Sequence, residues 1–238
     1  MWHPEFFKVV SIVKKILAFD LSLKCTGVAA VWFWGYNEIA SFQTISIIPL
    51  DFTKDDFHAL GYLPSKKKIT TKSGKSYYSY VKSATESPSE SVKKKRDVEV
   101  RNAINAKKKK SLSIEIDKII RTVHPTLILV ERNESFNGIL TTKLLAEARG
   151  ILEGVAKGIP IIQYSVSEVR KKFNLANMTR DFINKIKETE KFPKDVTKSV
   201  LKDYIDTKYN IVTRNTDESD ACILFDHYYE TIVKNEEG

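Results

Sequence analysis

The chain has 238 residues, of which 42% are hydrophobic, and it carries a net charge of +9. This length allows one large domain or two small ones, and its apolar runs stop well short of the ~18 residues that a membrane-spanning helix needs. The first residues do not resemble a secretory signal peptide, because Glu5 stands where a positive region belongs. Only two cysteines occur, Cys25 and Cys222, without metal-ligand spacing, which suggests a reducing, intracellular setting. Together with the short apolar runs, this leads us to expect a cytoplasmic protein with no membrane partner.

The first 50 residues predict three β-strands. ILAFD (16–20) is a short buried strand that ends in an aspartate, and VAAVWFW (28–34) and EIASFQTISI (38–47) are two more. The three residues 35–37 between the last two strands predict an antiparallel hairpin. The aromatic residues 32–34 are interpreted as core and hairpin packing.

A strongly basic segment, residues 51–110, interrupts this pattern. From Pro64 to Lys110 the chain has 15 Lys and Arg and four Asp and Glu, a net charge of +11, so the rest of the chain sums to −2. Clustered cations displace the counterions of phosphates, which predicts contact with nucleic acid; the alternative is a solvated, flexible insertion. Ser73-Gly74 predicts the turn of a small hairpin, and the Ser/Glu/Pro-rich stretch 83–91 is interpreted as a linker. The candidate DNA-binding residues in the segment are Lys66, Lys67, Lys68, Lys72, Lys75, Tyr77, Tyr78, Lys93, Lys94, Lys95 and Arg96.

Helices and strands alternate in the second half of the chain. The hydrophobic spacing predicts a helix over 112–123, a strand over 126–131, a helix over 139–157, a strand over 159–164, helical stretches over 179–191 and 194–206, and a last helix from near residue 217. Ser165 and Glu168 have the spacing of a capping box. Strands that alternate with helices after an opening hairpin predict an α/β fold.

Acidic residues stand at three places where burial is expected. Asp20 ends the first strand, Glu131 ends the strand 126–131, and Asp217 and Asp220 share one face of the last helix with Ala221. A helix N-terminus stabilises an anion by only ~0.3–1 kcal/mol, which does not offset several partly dehydrated carboxylates. Mg²⁺ (or Mn²⁺) takes such ligands, and two ions ~4 Å apart suit phosphoryl transfer. Taken singly, each aspartate has an ordinary alternative as a turn former or, for Asp217, a helix N-cap.

Five sequence blocks resemble one enzyme family. AFDLSLKCTGVAAV, LILVERNESF, LLAEARGILEGVA, YSVSEVRKKF and DESDACILF, in this order, resemble the RuvC family of Holliday-junction resolvases, within the RNase H-like superfamily. The resemblance covers roughly residues 15–50 and 112–230. It implies one domain over residues 1–238 with an RNase H-like mixed β-sheet flanked by helices and a long basic insertion after the third strand.

The resemblance also implies an activity and a set of site residues. It implies a homodimer that nicks two strands of a four-way DNA junction and leaves 5′-phosphate and 3′-hydroxyl ends. By motif match, Asp20, Glu131, Asp217 and Asp220 would be the catalytic residues that bind two Mg²⁺ ions. A lysine on the preceding helix assists in that family, and Lys198 fits best, with Lys194 as the rival. Because the family contacts DNA just after its catalytic glutamate, Arg132 and Phe136 are further candidate DNA-binding residues.

Two departures from the family and three other functions bear on this interpretation. Glu134 stands where bacterial members have an aromatic residue, and they have no basic insertion of this length; the insertion favours a phage or viral resolvase that acts in the host cytoplasm. A relaxed nuclease for flaps or RNA–DNA hybrids would use the same metals. An actin-like ATPase would need a Gly-rich segment after residue 159, which the chain lacks. A non-catalytic DNA-binding protein would not need the four acids.

Overall fold

The computed structural model describes residues 12–34, 38–64, 66–132, 139–165, 168–169 and 196–234. The chain divides into two compact units. Met1–Ile48 and Glu115–Gly238 form the first, here the sheet unit, and Pro49–Ile114 form the second, here the insertion unit. The insertion that the sequence predicts over 51–110 therefore makes up most of the second unit.

The strands and helices follow one another largely as the sequence predicts. The strands are β1 (Ile12–Asp20), β2 (Thr26–Trp34), β3 (Glu38–Ile47), β4 (Lys67–Thr70), β5 (Ser76–Ser79), β6 (Leu127–Glu131) and β7 (Ile161–Tyr164). The helices are α1 (Lys54–Ala59), α2 (Glu90–Val123), α3 (Ile139–Val155), α4 (Val196–Tyr209) and α5 (Thr216–Tyr228), and a π-helical turn, Tyr229–Val233, continues α5. The predicted helix over 179–191 lies outside the described residues.

Five strands form the mixed sheet of the sheet unit, in the order β3-β2-β1-β6-β7. β1, β2 and β3 are successively antiparallel, whereas β6 runs parallel to β1 and β7 parallel to β6. The centre of β1, Ile16–Phe19, is completely buried, which explains its uninterrupted apolar run, since an inner strand covered on both faces has no polar side. The predicted α/β fold, a mixed sheet flanked by helices with an insertion after the third strand, is confirmed.

The main core holds α5 against the sheet. Phe33 of β2 and Phe225 of α5 are both fully buried, and their ring centroids lie 6.0 Å apart. Leu201 and Ile205 of α4 belong to the same cluster. Since each fully buried large apolar side chain contributes ~1.5–3 kcal/mol, this packing fixes the position of α5 on β1 and β2.

Ser165 and Glu168, just after β7, form the predicted capping box. The Ser165 amide donates to Glu168 Oε2 (2.6 Å), and the Glu168 amide donates to Ser165 Oγ (3.1 Å). Both of the reciprocal bonds that define this motif are therefore present. These bonds lower the pKa of Glu168, since they stabilise its ionised form.

The insertion unit is folded around its own small core. Phe57 of α1, Tyr62, Tyr80 and Val100 of α2 pack together in it. β4 and β5 pair antiparallel, and Gly74 lies in their turn with φ of +76°. The hairpin predicted at Ser73-Gly74 is therefore confirmed, and glycine suits it because φ is positive there.

Helix α2 begins much earlier than the sequence predicts. The predicted helix starts at residue 112, whereas α2 starts at Glu90 and includes both lysine runs that the sequence analysis leaves without regular structure. Lys, Arg, Glu and Ala are strong helix formers, but a helix with few buried apolar residues lacks the periodic stripe that identifies it. Among the described residues, no helix combines the length and apolar character that crossing a bilayer requires.

Candidate active site

The ends of two neighbouring parallel strands bring two of the predicted acids to one edge of the sheet. Asp20 is the last residue of β1, and Glu131 is the last residue of β6. Phe19 pairs with Val130 in the parallel β1–β6 register, so Asp20 and Glu131 are the next pair along the two strands. Both are only half-buried. The carboxyl ends of parallel strands are where open α/β sheets bind ligands.

Gly27 brings the first turn of α5 to the same place. Gly27 is the cross-strand partner of Asp20 in the β1–β2 pair. A Cβ atom at Gly27 would lie 1.9 Å from the Asp217 carbonyl oxygen and 2.6 Å from the Glu218 nitrogen, so the backbones of β2 and α5 touch directly beside Asp20. Sequence reasoning missed this residue, although a glycine inside an apolar strand is a signal of close backbone approach.

The close approach at Gly27 gives a testable prediction about stability. We expect Gly27→Ala to lower the free energy of unfolding by about 1–3 kcal/mol, because the added methyl must displace the start of α5. The control is Thr207→Ala, which places alanine at an exposed position of α4 and favours the helix. Urea unfolding of the two variants and the parent measures the difference; equal stability of all three would contradict the close approach.

Asn215, and not Asp217, caps α5. Asn215 Oδ1 accepts a hydrogen bond from the Glu218 amide (2.9 Å), and Asn215 Nδ2 donates to Ser46 Oγ of β3 (2.7 Å). Asp217 lies one residue inside the helix, in its first turn. The alternative interpretation of Asp217 as an N-cap is therefore wrong.

Glu218 is completely buried beside this cap, and its two oxygens are engaged. Ser46 Oγ donates to Oε1 (2.6 Å), the Arg214 amide donates to Oε2 (2.8 Å), and the Arg214 guanidinium donates to Oε1 (2.8 Å). Burial alone raises the pKa of Glu218, but the hydrogen bonds from Arg214 and Ser46 outweigh it and hold this pKa below its usual value. Glu218 thus fixes the start of α5 as an ionised structural residue.

Cys25 lies against the Asp217 carboxylate. Burial, together with hydrogen bonding to and repulsion from Asp217, raises the pKa of the Cys25 thiol to about 11. The thiol is therefore protonated near neutral pH, and a protonated thiol is a poor metal ligand. Its position places the Asp217 side chain toward the loop between β1 and β2.

The four acids have the chemistry of a divalent metal site, but their carboxyl groups do not form a ligand cluster. In the part of the chain that the structure describes, no group of three or more His, Cys, Asp or Glu side chains could hold a metal ion. Asp20, Glu131, Asp217 and Asp220 nevertheless stand at adjoining strand and helix ends, and Asp217 and Asp220 are half-buried in α5. Carboxylate oxygens are the donors that Mg²⁺ prefers, so the residue types and backbone positions fit such an ion.

Other predicted residues around this edge have different outcomes. Arg132 directly follows Glu131, is exposed, and its amide donates to the Tyr164 carbonyl (2.7 Å). Lys198 belongs to α4, but its side chain lies outside the described residues, as do Lys194 and Phe136. Their predicted roles stay predictions.

Most of the predicted DNA-binding residues of the insertion unit lie on its surface. The exposed ones are Lys66, Lys67, Lys68, Lys72, Lys75, Tyr78, Lys94 and Lys95, and Lys93 is half-exposed. The unit therefore presents a basic hairpin and a basic stretch of α2 to solvent, which fits the polyanion contact that its charge predicts.

The side chains of Tyr77 and Arg96 are instead buried inside the insertion unit. Tyr77 is only 8% exposed and Arg96 9%. The Arg96 guanidinium donates to the Tyr80 carbonyl (3.0 Å) and pairs with both oxygens of Glu86 (2.9 and 2.6 Å). Arg96 holds the pKa of Glu86 down at about 2 through this pairing. Tyr77 and Arg96 stabilise the unit, so we do not retain them as DNA contacts.

Comparisons with known proteins find similarity to solved structures only. No protein-family model matches the chain, and no curated protein matches it in sequence. A Thermus thermophilus RuvC in complex with a Holliday junction substrate is 9% identical, with a TM-score of 0.49, over 93% of this chain and 98% of that chain. Another T. thermophilus RuvC structure is 11% identical, with a TM-score of 0.47, over 92% and 97%. The yeast mitochondrial Holliday junction resolvase Ydc2 is 10% identical, with a TM-score of 0.39, over 96% and 85%. Identities and TM-scores this low do not transfer a substrate or an activity to this chain.

Proposed function

We propose that this protein is a metal-dependent endonuclease that resolves four-way (Holliday) and other branched DNA junctions by paired nicks. The observation that carries the proposal is the convergence of Asp20, Glu131 and the first turn of α5 around Gly27, at one edge of an RNase H-like sheet. The exposed basic surface of the insertion unit supports a DNA substrate. A phage or viral origin and a cytoplasmic location stay predictions.

In this proposal the chain's own residues hold the reacting groups in place. Asp20, Glu131, Asp217 and Asp220 would hold two Mg²⁺ or Mn²⁺ ions, whose chemistry is the activation of a water and the neutralisation of charge on the phosphate. Asp20 and Glu131 stand on inner strands of the sheet, while Asn215 and buried Glu218 fix the turn that carries Asp217. Lys198 is the proposed auxiliary lysine.

The proposed function requires two active sites related by symmetry, and α3 offers a surface for a homodimer. Ala146, Gly150 and Gly154 are exposed and fall at i, i+4 and i+8, on one face of the helix, while Ala148 and Leu152 are buried. Small side chains let a second helix approach closely, and a two-fold dimer is the commonest way to pair identical sites.

The dimer is tested by mass. We expect the parent protein to run at twice its chain mass of 27.2 kDa in light scattering, and Gly150→Leu to shift it toward the monomer because the larger side chain separates the helices. Lys118→Leu, which places the same side chain at an exposed position of α2, should leave the mass unchanged. A parent protein that stays monomeric both free and on junction DNA would favour the relaxed nuclease.

The experiment that tests the function compares substrates directly. Purified protein is incubated with end-labelled four-way junction, flap, RNA–DNA hybrid and linear duplex, each with Mg²⁺, Mn²⁺ or EDTA. We expect metal-dependent, paired nicks in the junction and little cutting of the duplex. Equal cutting of flaps or hybrids would support the relaxed nuclease, and the absence of cutting of every substrate in both metals would rule out a nuclease.

A further inference from the structure

The insertion unit contains a cleft between the β4–β5 hairpin and α2. Its volume is about 310 Å³, and the residues that line it include Lys66, Lys68, Tyr78, Asp97 and Arg101. This volume is at the lower end of the range for sites that hold small organic groups. All of its lining residues belong to the insertion unit, whereas the four acids belong to the sheet unit.

One wall of the cleft is an accessible aromatic ring. Tyr78 is 39% exposed, whereas Tyr77 and Tyr80, which also line the cleft, are buried. Lys66 Nζ lies 4.7 Å from the centre of the Tyr78 ring, close enough for a cation–π contact. The Lys66 ammonium therefore lies over one face of the exposed ring. A flat group that stacks on this face would displace the ammonium to the edge of the ring, where it can pair with an anion.

The buried carboxylate of Asp97 holds the backbone of Tyr78 in place. Asp97 is only 2% exposed; its Oδ1 accepts from the Tyr78 amide (3.1 Å), and its Oδ2 pairs with Arg101. Asp97 thus anchors the backbone that carries the ring, and it neutralises Arg101. Lys66 and Lys68, both exposed, then supply the net positive charge of the cleft.

We propose that this cleft binds one unpaired nucleotide of a DNA strand, with its base stacked on Tyr78 and its phosphate between Lys66 and Lys68. A flat π-system beside cations is the combination that single-strand-binding proteins use for a base and its backbone. A base inside a duplex is stacked on its neighbours and does not reach such a cleft, whereas branch points and flaps expose unpaired bases. The cleft therefore supplies selectivity for branched over linear DNA; that role rests on the proposed function.

The test measures binding to single strands without metal, so that it does not depend on cleavage. The full-length protein in EDTA is titrated into a fluorescein-labelled oligothymidylate and into an abasic strand of the same length, which keeps the phosphates and lacks the bases. We expect the base-bearing strand to bind about 5- to 150-fold more tightly, the range that one stacked base provides. Tyr78→Ala should abolish this preference, and Tyr78→Phe should retain it.

A control variant shows whether the loss of base preference is specific to Tyr78. Tyr204→Ala removes a similarly exposed tyrosine (40%) from α4, and it should keep the preference. Equal binding of the two strands by the parent protein, or a preference that survives Tyr78→Ala, would overturn the proposal. Thymidine monophosphate that competes as well as the oligonucleotide would also overturn it, because the cleft would then be a site for free nucleotides. Base preference without any cleavage would keep the cleft and refute the nuclease.

Discussion

Replacing Asp20 by asparagine is expected to reduce the cleavage of branched DNA by about 10²-fold or more, while the same DNA stays bound. The amide keeps the shape of the side chain but removes the negative charge that would hold a metal at the end of β1. Cleavage is measured under single-turnover conditions in Mg²⁺, and binding is measured in EDTA. The control is Asp203→Asn, the same change at an exposed position of α4, which should cleave like the parent. Cleavage by Asp20→Asn at near the parent rate would refute the metal-dependent mechanism.

The other three proposed ligands should behave in the same way, and Glu218 should not. Glu131→Gln, Asp217→Asn and Asp220→Asn are expected to lose cleavage and keep their unfolding transitions. Glu218→Gln removes the charge of a completely buried carboxylate that pairs with the exposed Arg214, so it should lower stability as well as activity. Unfolding curves therefore separate the residues that take part in the chemistry from the residue that positions them.

The architecture of the sheet unit could be predicted because burial leaves a direct trace in its sequence. The centre of β1, Ile16–Phe19, and the strand β6 up to Val130 are uninterrupted apolar runs, and each is followed directly by a carboxylate that does not suit a hydrophobic core. A sheet of this kind needs helices on its faces, and the Ser165–Glu168 pair has the spacing of a capping box, a signal that is local in sequence. These signals are local in the sequence, so they can be recognised before the tertiary structure is known.

Other features depend on contacts that are distant in sequence. The sequence around Gly27 does not identify its partner, the backbone of Asp217, which lies 190 residues later in the chain. Likewise, Asn215 caps α5 through a side chain that also reaches Ser46 on another strand. Tyr77 and Arg96 are buried because the insertion unit has a small core of its own, which its strongly basic composition does not indicate. In each case tertiary packing, and not local propensity, decides the role of the residue.

Neutralising two lysines at the tip of the basic hairpin is expected to change how DNA binding responds to salt. Lys72 and Lys75 are exposed and lie outside the cleft beside Tyr78. Each phosphate contact contributes about 0.9 to the slope of log affinity against log salt concentration. If both lysines contact phosphates, the double variant Lys72→Gln/Lys75→Gln should flatten that slope by about 1.8 and weaken binding at low salt.

The matched control separates contact from overall charge. Lys118→Gln/Lys157→Gln removes two exposed lysines from the sheet unit and lowers the net charge by the same amount, so a general attraction would fall equally in both variants. Binding to junction and to linear duplex is measured across a salt series for the parent and the two variants. Because Lys72 and Lys75 lie outside the cleft beside Tyr78 and act only through their charge, the hairpin variant should lose affinity for both DNAs in parallel. An unchanged slope, or an equal change in the control variant, would show that the hairpin tip is a solvated surface without DNA contacts.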